Sequence, residues 1–218
     1  MPKHKLFRIE AVKTFANVSH HPAELQGKWR DIFKNDNPIT IELGCGRGDL
    51  LLALAAEHKD RNFIGVDLKG VRLWSAATNA RKLNLHNVFF MCTNILDMSD
   101  AFQPDDISEF WITFPDPYPK KPRKRMTAER YLDLYVKICT SGAIGHVKTD
   151  DDDYYKFSFQ SIADYGCKIH TTIEDVHDQP DANKDLQILT TYEKRHIENG
   201  LKIKYIKFSL PNRESENL

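Results

Sequence analysis

Short apolar runs alternate with longer segments in which apolar residues recur at helical spacing, from residue 38 onward. The pattern predicts seven strands and five helices. The strands are 38–42, 62–67, 87–93, 109–114, 142–149, 167–176 and 201–210, and the helices are 49–58, 69–83, 127–140, 151–164 and 191–199. Such alternation favours an α/β fold, with a mostly parallel sheet covered by helices on both faces.

The last two predicted strands are joined by residues 177–189 and a short helix rather than by a standard crossover. This connection indicates an antiparallel final strand. Residues 1–37 are predicted to form a polar arm with a short helix around 22–33, ahead of a single domain over 38–218.

Residues with capping chemistry mark several predicted helix ends. Thr127 is placed to cap the helix that follows it, since its hydroxyl can accept a hydrogen bond from a free backbone N–H. Gly142, Gly166 and Gly200 stand where helices commonly stop.

A glycine turn follows the first predicted strand. Glu42 ends that strand, and Gly44, Gly46 and Gly48 come next at alternate positions. Glycines allow left-handed backbone angles and a close approach of the backbone to a ligand. The third glycine comes two residues after the second, whereas the dinucleotide fingerprint requires three, so a nicotinamide cofactor fits less well than S-adenosylmethionine.

Polar residues stand at the ends of four successive predicted strands, where an open parallel sheet gathers its ligands. They are Glu42, Asp67, Asn94 and Asp116. A carboxylate such as Asp67 can accept hydrogen bonds from both ribose hydroxyls, Asn94 can pair with an adenine edge, and Glu42 can attract a cationic amino-acid group. We predict that all four residues and the three glycines contact S-adenosylmethionine, although one glycine alone would indicate only an ordinary turn.

The fourth of these strands leads into a proline-rich segment and then a basic run. Pro115 and Pro117 restrict the backbone on both sides of Asp116. A fixed carboxylate beside the ring of Tyr118 is suited to hold a planar base. The cations that follow are predicted to meet phosphates: Lys120, Lys121, Arg123, Lys124 and Arg125. A basic run by itself is more often a solvated loop, and its position beside Asp116 is what favours a nucleic-acid substrate.

Composition adds few constraints. Lys plus Arg and Asp plus Glu number 31 each, so a polyanionic partner has to be recognised through local clusters of charge. The four cysteines and nine histidines lack metal-ligand spacing, and we expect no metal site. The basic N-terminus precedes no apolar segment, and no run is long enough to span a bilayer. We therefore expect a soluble cytoplasmic protein without a membrane partner, as a monomer or homodimer.

Two further segments are predicted to lie near the same edge. Asp150 follows the fifth strand, and Asp151 to Asp153 after it suit a helix start. Thr190 to Glu193 open the last helix, where plain helix capping is an equally good explanation.

Taken together, these residues resemble the tRNA (guanine-N7)-methyltransferase family over about residues 26 to 210. The matching segments are Gly27-Lys-Trp29, Glu42-Leu-Gly-Cys-Gly-Arg-Gly48, Phe63-Ile-Gly-Val-Asp67, Phe114-Pro-Asp-Pro-Tyr-Pro-Lys120, Lys124-Arg125, Lys148-Thr-Asp150 and Thr190-Thr-Tyr-Glu193. The glycine turn fits many methyltransferases, whereas the later segments are more specific. The sequence departs from the family pattern at Asn94, Pro115 and Tyr118 and in a shorter basic loop.

The resemblance implies a Rossmann-like, class I S-adenosyl-L-methionine-dependent fold and methyl transfer to N7 of a guanine in the tRNA variable loop. Asp116 would be the catalytic residue, and substrate would contact Lys120, Asp150, Thr190, Thr191, Tyr192 and Glu193. Three alternatives stay open: a methyltransferase acting on another base atom or a protein amide, a noncatalytic RNA-binding module, and, more distantly, a nicotinamide dehydrogenase.

Overall fold

The computed structural model describes residues 3–179 and 183–213 of the chain. The strands in these ranges are β1 Val18–Ser19, β2 Ile39–Leu43, β3 Asn62–Asp67, β4 Val88–Cys92, β5 Ile107–Thr113, β6 Cys139–Thr149, β7 Lys168–Ile173 and β8 Lys204–Ser209. The α-helices are α1 Lys3–Val12, α2 Trp29–Phe33, α3 Asp49–Glu57, α4 Gly70–Lys82, α5 Glu129–Ile138, α6 Asp152–Asp164 and α7 Thr191–Glu198.

All eight described strands form one sheet in the order β1-β4-β3-β2-β5-β6-β8-β7. The pairs are parallel except for β8, which runs antiparallel to both β6 and β7. The predicted α/β fold and the antiparallel last strand are confirmed. The strand order reverses its direction of winding between β2 and β5, and at such a point an open sheet has a crevice at its carboxyl edge.

Burial on both faces explains the apolar strands. Phe110 and Trp111 are neighbours on β5, and because successive side chains point to opposite faces, each lies in a different core cluster. One cluster includes Trp29 and Tyr135, and the other includes the leucines of α3. Strands buried on both sides read as continuous apolar runs, which is the pattern seen in the sequence.

The prediction of seven strands was wrong by one, because residues 3–179 and 183–213 form eight. The additional strand, β1, has two residues and pairs with β4 at the edge of the sheet. Two residues cannot show an alternating pattern, so periodicity did not reveal it. The segment predicted as a polar arm also contains α1, a helix that was not predicted and that packs on α4. The short helix predicted around 22–33 is observed as the 3₁₀ turn Pro22–Leu25 and α2, in which Trp29 donates a hydrogen bond to the Ala101 carbonyl. The boundary placed at residue 38 stays a prediction.

Two predicted helix ends were wrong. Ala128, not Thr127, is the N-cap residue of α5, and the Thr127 hydroxyl lies 2.8 Å from that of Ser158 in the core. Gly142 lies inside β6, because α5 already ends at Ile138. Gly166 and Gly200 do lie just beyond helices, both with left-handed backbone angles.

None of the helices within the described ranges has the length and apolar character needed to cross a membrane.

Candidate active site

A cavity of about 340 Å³ opens at the carboxyl edge of the sheet, where the strand order reverses. Its walls come from the end of β2, the glycine turn, the segment after β5 and the start of α7. The lining residues include Glu42, Gly44, Gly46, Arg47, Asp49, Arg72, Thr113, Phe114, Asp116, Thr190, Thr191, Tyr192 and Arg195. The volume lies within the range of small-ligand pockets.

Glu42 lies at the base of this cavity and is 3% exposed. One carboxylate oxygen accepts a hydrogen bond from the Thr113 hydroxyl (2.6 Å), and the other accepts one from the Leu51 backbone N–H (3.2 Å). Burial raises the pKa of Glu42 to about 7, against the opposing effect of these two hydrogen bonds. The carboxyl group therefore changes charge near neutral pH, and a cation in the cavity would favour its ionised form.

The glycine turn requires glycine. Gly44, Gly46 and Gly48 have φ angles of +75°, +57° and +74°, which other residues rarely adopt. Asp67 supports the turn from the next strand, because its carboxylate accepts hydrogen bonds from the backbone N–H groups of Gly46 (3.0 Å) and Lys69 (2.7 Å). Asp67 is buried and lies behind the turn, so contact with a ribose stays a prediction.

The segment after β5 has a strained backbone at both ends. Phe114 and Tyr118 have φ angles of +46° and +42°, an uncommon conformation for bulky residues. Two prolines lie between them, on either side of Asp116. Asp116 is exposed and lines the cavity. Strain of this kind persists only where the surrounding structure holds it, and it is concentrated at functional sites.

Arg125 is the residue that holds this segment. Its Nε donates to the Pro117 carbonyl (2.7 Å), and its Nη1 donates to the Asp153 carbonyl on α6 (2.9 Å). The guanidinium also lies over the rings of Tyr154 and Phe157, at 5.7 and 4.8 Å. Arg125 is 6% exposed, so the geometry does not support the predicted RNA contact and instead gives this residue a structural role.

The start of α7 forms another wall. The Thr190 hydroxyl accepts a hydrogen bond from the Glu193 backbone N–H in a capping box, and the Thr191 N–H donates to Asp49 (2.8 Å). The exposed ring of Tyr192 lies against Phe114, with 5.3 Å between centroids. The structure thus brings Thr190, Thr191 and Tyr192 to the cavity beside the segment that carries Asp116.

Glu193 is fully buried below this wall. Its Oε1 lies 2.6 Å from Lys148 Nζ and 3.0 Å from His177 Nε2, and Lys148 also donates to the Leu186 carbonyl (2.8 Å). This ion pair fixes α7 against the end of β6. The side chain of Glu193 is therefore occupied within the protein, and its predicted contact with substrate is not supported by this arrangement.

The remaining predicted residues lie outside the cavity lining. Asn94 is exposed and caps the 3₁₀ helix Ile95–Ala101 by accepting from the Leu96 N–H. Asp150 Oδ2 lies 3.0 Å from His196 Nδ1. The exposed cations lie along the loop that leaves the cavity after Pro117: Lys120, Lys121, Arg123 and Lys124. Ligand contacts by all of these stay predictions.

Sequence reasoning missed five residues with polar or charged side chains that line the cavity: Thr113, Arg47, Asp49, Arg72 and Arg195. Thr113 had a signal, since it is a polar residue at the end of an apolar strand. Arg195 had one too, because it lies one helical turn after Thr191 and so shares its face of α7. With Glu42, Asp49 and Asp116, these arginines give the cavity charges of both signs, which suits a zwitterionic ligand.

The family model described as "Putative methyltransferase" matches residues 36–206. Among solved structures, 16S rRNA methyltransferase KamB superposes with a TM-score of 0.66 at 12% identity, covering 84% of this chain and 93% of that one. The 30S ribosomal A1408 methyltransferase from an uncultured bacterium superposes with a TM-score of 0.62 at 16% identity, covering 84% and 91%. At these identities, the likeness shows the fold.

Curated relatives are more similar in sequence. The tRNA (guanine-N(7)-)-methyltransferase of Bacteroides fragilis (strain YCH46) is 39% identical over 90% of this chain and 79% of its own length. That of Porphyromonas gingivalis (strain ATCC BAA-308 / W83) is also 39% identical, over 94% of this chain and 89% of its own length. The chain belongs to the tRNA (guanine-N(7)-)-methyltransferase family.

Proposed function

We propose that this protein transfers the methyl group of S-adenosyl-L-methionine to N7 of a guanine in tRNA, at the variable-loop guanosine. One observation carries the proposal: the proline-flanked carboxylate of Asp116 lines the same cavity as Glu42 and the glycine turn. The proposed base-binding group and the proposed cofactor-binding turn therefore share one cavity. Membership of the tRNA (guanine-N(7)-)-methyltransferase family supports the same function.

The polar groups that line the cavity suit S-adenosylmethionine. Glu42 supplies a buried carboxyl group, the turn supplies backbone groups close to the cavity, and Asp116 supplies a carboxylate at the rim. Gly44, Gly46, Gly48, Asp67 and Asn94 complete the proposed cofactor-binding set. When bound, S-adenosylmethionine supplies a methyl group activated by a sulfonium.

Guanine N7 carries a lone pair and no proton, so the protein has no proton to remove. Its contribution is alignment of the base at near-attack distance and stabilisation of the charge that develops. Asp116 is proposed to accept hydrogen bonds from N1 and N2 of guanine and to offset the positive charge of the methylated ring. Tyr118 and Tyr192 are exposed aromatic rings near this carboxylate on which a base can stack.

The other substrate contacts proposed are those of Thr190 and Thr191, which line the cavity, and of Lys120 and Asp150, which lie outside its lining. Lys121, Arg123 and Lys124 are exposed on the loop beyond it and are proposed to contact phosphates. Arg125 and Glu193 are left out of both sets, because their polar atoms are held within the protein.

The direct test supplies methyl-labelled S-adenosylmethionine and unmodified tRNA, then digests the product to nucleosides for mass spectrometry. We expect label in 7-methylguanosine, and partial digestion should place it in the variable loop. Label in another nucleoside or in protein would show that the methyl group goes to a different atom from the one proposed. No transfer, together with no cofactor binding in a titration, would indicate a noncatalytic protein.

Asp116→Asn should lower kcat about 10²- to 10³-fold, because the amide cannot offset the charge on the methylated guanine. The dissociation constant for S-adenosylmethionine should change less than about threefold. Steady-state rates at saturating tRNA and cofactor measure kcat, and calorimetry measures the dissociation constant. The matched control is Asp97→Asn, at an exposed position on the 3₁₀ helix after β4. Equal losses in rate and cofactor affinity would assign Asp116 to cofactor binding alone.

Cofactor affinity should rise with pH through about 7. Because the pKa of Glu42 is raised to about 7, its carboxyl group is neutral below that pH and charged above it, and a cationic ligand favours the charged form. Binding should therefore release a proton, measurable by calorimetry in buffers of different ionisation enthalpy. Glu42→Gln should remove both effects, and a flat profile for the unmodified protein would contradict this role of Glu42.

Neutralising the exposed loop should weaken the dependence of tRNA binding on salt. Replacing Lys120, Lys121, Arg123 and Lys124 by Gln removes up to four phosphate contacts, so the slope of log affinity against log salt should become shallower by up to about 3.6. Arg125 is kept, since it holds the segment. Gln at the exposed residues Lys28, Lys137, Lys156 and Lys168 is the matched control. An unchanged slope in the loop variant would overturn the loop's assignment.

A further inference from the structure

A second cavity, of about 390 Å³, lies between α1 and α4 beside the candidate active site. It is lined by residues of both helices, of the glycine turn and of α7: Arg8, Arg47, Asp49, Trp74, Ser75, Thr78, Asn79, Lys82 and Thr191. We call it the α1–α4 groove. Arg47, Asp49 and Thr191 also line the first cavity, so the two cavities adjoin.

The groove is basic in a chain whose net charge is zero. Arg8, Arg47 and Lys82 face Asp49, which already accepts a hydrogen bond from the Thr191 N–H. The helix α4 carries no acidic residue, and the exposed Glu10 of α1 is paired with Lys13 at 3.0 Å. Such an excess of cations on one surface attracts a polyanion.

Two groove residues are arranged for contact with oxyanions. The guanidinium of Arg8 lies over the Trp74 ring, 4.6 Å from its centroid. A guanidinium stacked on an aromatic face keeps its planar edge of N–H donors for phosphate and loses less conformational freedom on binding. Asn79, one turn before the end of α4, is exposed and carries amide donors.

The groove and the basic loop adjoin different walls of the active-site cavity. The loop over residues 120–124 continues from Pro117 in one wall, whereas the groove continues from Arg47 and Asp49 in another. A polyanion in contact with both would cross the mouth of the cavity. Phosphate contacts fix register and orientation without reading sequence, and here they would place one base over Asp116.

We infer that the α1–α4 groove binds the sugar-phosphate backbone of the substrate tRNA, as a second basic surface that with the loop positions the target guanine. The inference rests on the proposed function, since it names where the same substrate is held. A small anion fits less well, because the groove is open to the surface and continuous with the first cavity.

The test compares Arg8→Gln/Lys82→Gln with Lys156→Gln/Lys168→Gln, a control pair at exposed positions on α6 and β7. In the groove variant, we expect KM for tRNA to rise about tenfold at low salt, and the salt slope to become shallower by about 2. The kcat at saturating tRNA and the dissociation constant for S-adenosylmethionine should stay within about twofold. The control pair should match the unmodified protein in every quantity.

The single variant Lys82→Gln controls for a folding defect in the double variant, because the double variant also loses the packing of Arg8 on Trp74. This single variant should make the salt slope shallower by about 0.9. If wild-type protein forms 7-methylguanosine and the groove variants keep its KM and slope, the groove assignment is wrong while the proposed function stands. A change in sedimentation mass without a change in tRNA binding would also overturn it, in favour of a contact between copies of this chain. Failure of the wild type to methylate tRNA would instead reject the proposed function.

Discussion

The hydrogen bond between Glu42 and Thr113, 2.6 Å long, joins the two strands between which the sheet reverses its order. These residues are 71 positions apart in sequence, and the parallel pairing of β2 with β5 brings them together. The glycine turn follows one strand and the Pro-Asp-Pro segment follows the other. Their closeness is therefore set by the rigid sheet, which positions the two loops that carry the site. The buried carboxyl group at this junction has a raised pKa as the physical consequence of its position.

Two buried cations secure the segments around this junction. Lys148, at the end of β6, pairs with Glu193 of α7, and Arg125 donates to the carbonyl of Pro117. Removing one partner of a buried ion pair leaves an uncompensated charge, which typically destabilises a protein by about 3–5 kcal/mol. Burial also lowers the pKa of Lys148, although Glu193 opposes the shift. The basic residues of this chain thus divide by burial into those that hold the site together and those that face solvent and can meet a polyanion.

The sequence predicted the long elements after residue 38 well because each of them has its own periodicity, and β3 was placed at its observed bounds. It did not predict the helix α1. It missed β1, whose pairing depends on β4 rather than on its own two residues. For the candidate site, the sequence identified residue types and their order along strand ends. It could not tell that Arg125 turns inward over Tyr154, or that Asn94 caps its own 3₁₀ helix, because both outcomes depend on neighbours distant in sequence or on local backbone geometry. Whether a charged side chain is buried depends on tertiary packing, so it cannot be predicted from a sequence motif.

Methyl transfer to guanine N7, the reaction proposed for this site, depends on alignment, and the residues of the site form a constrained structure that suits alignment. Because guanine N7 carries no proton, the proposed reaction needs no general base. The contribution of the site is then to align the base with the methyl group. The segment that carries Asp116 is constrained by two prolines, by left-handed angles at Phe114 and Tyr118, and by Arg125. Glu42 lies at the base of the cavity, where burial raises its pKa to about 7 and where we propose that it meets the cationic end of the cofactor rather than transferring a proton. A rigid segment can align only a base that is itself held in place. A large, highly charged substrate is held most directly through its phosphates, on surfaces beside the cavity. The exposed basic loop and the α1–α4 groove are proposed to supply these surfaces, so that Asp116 meets a base already held in place.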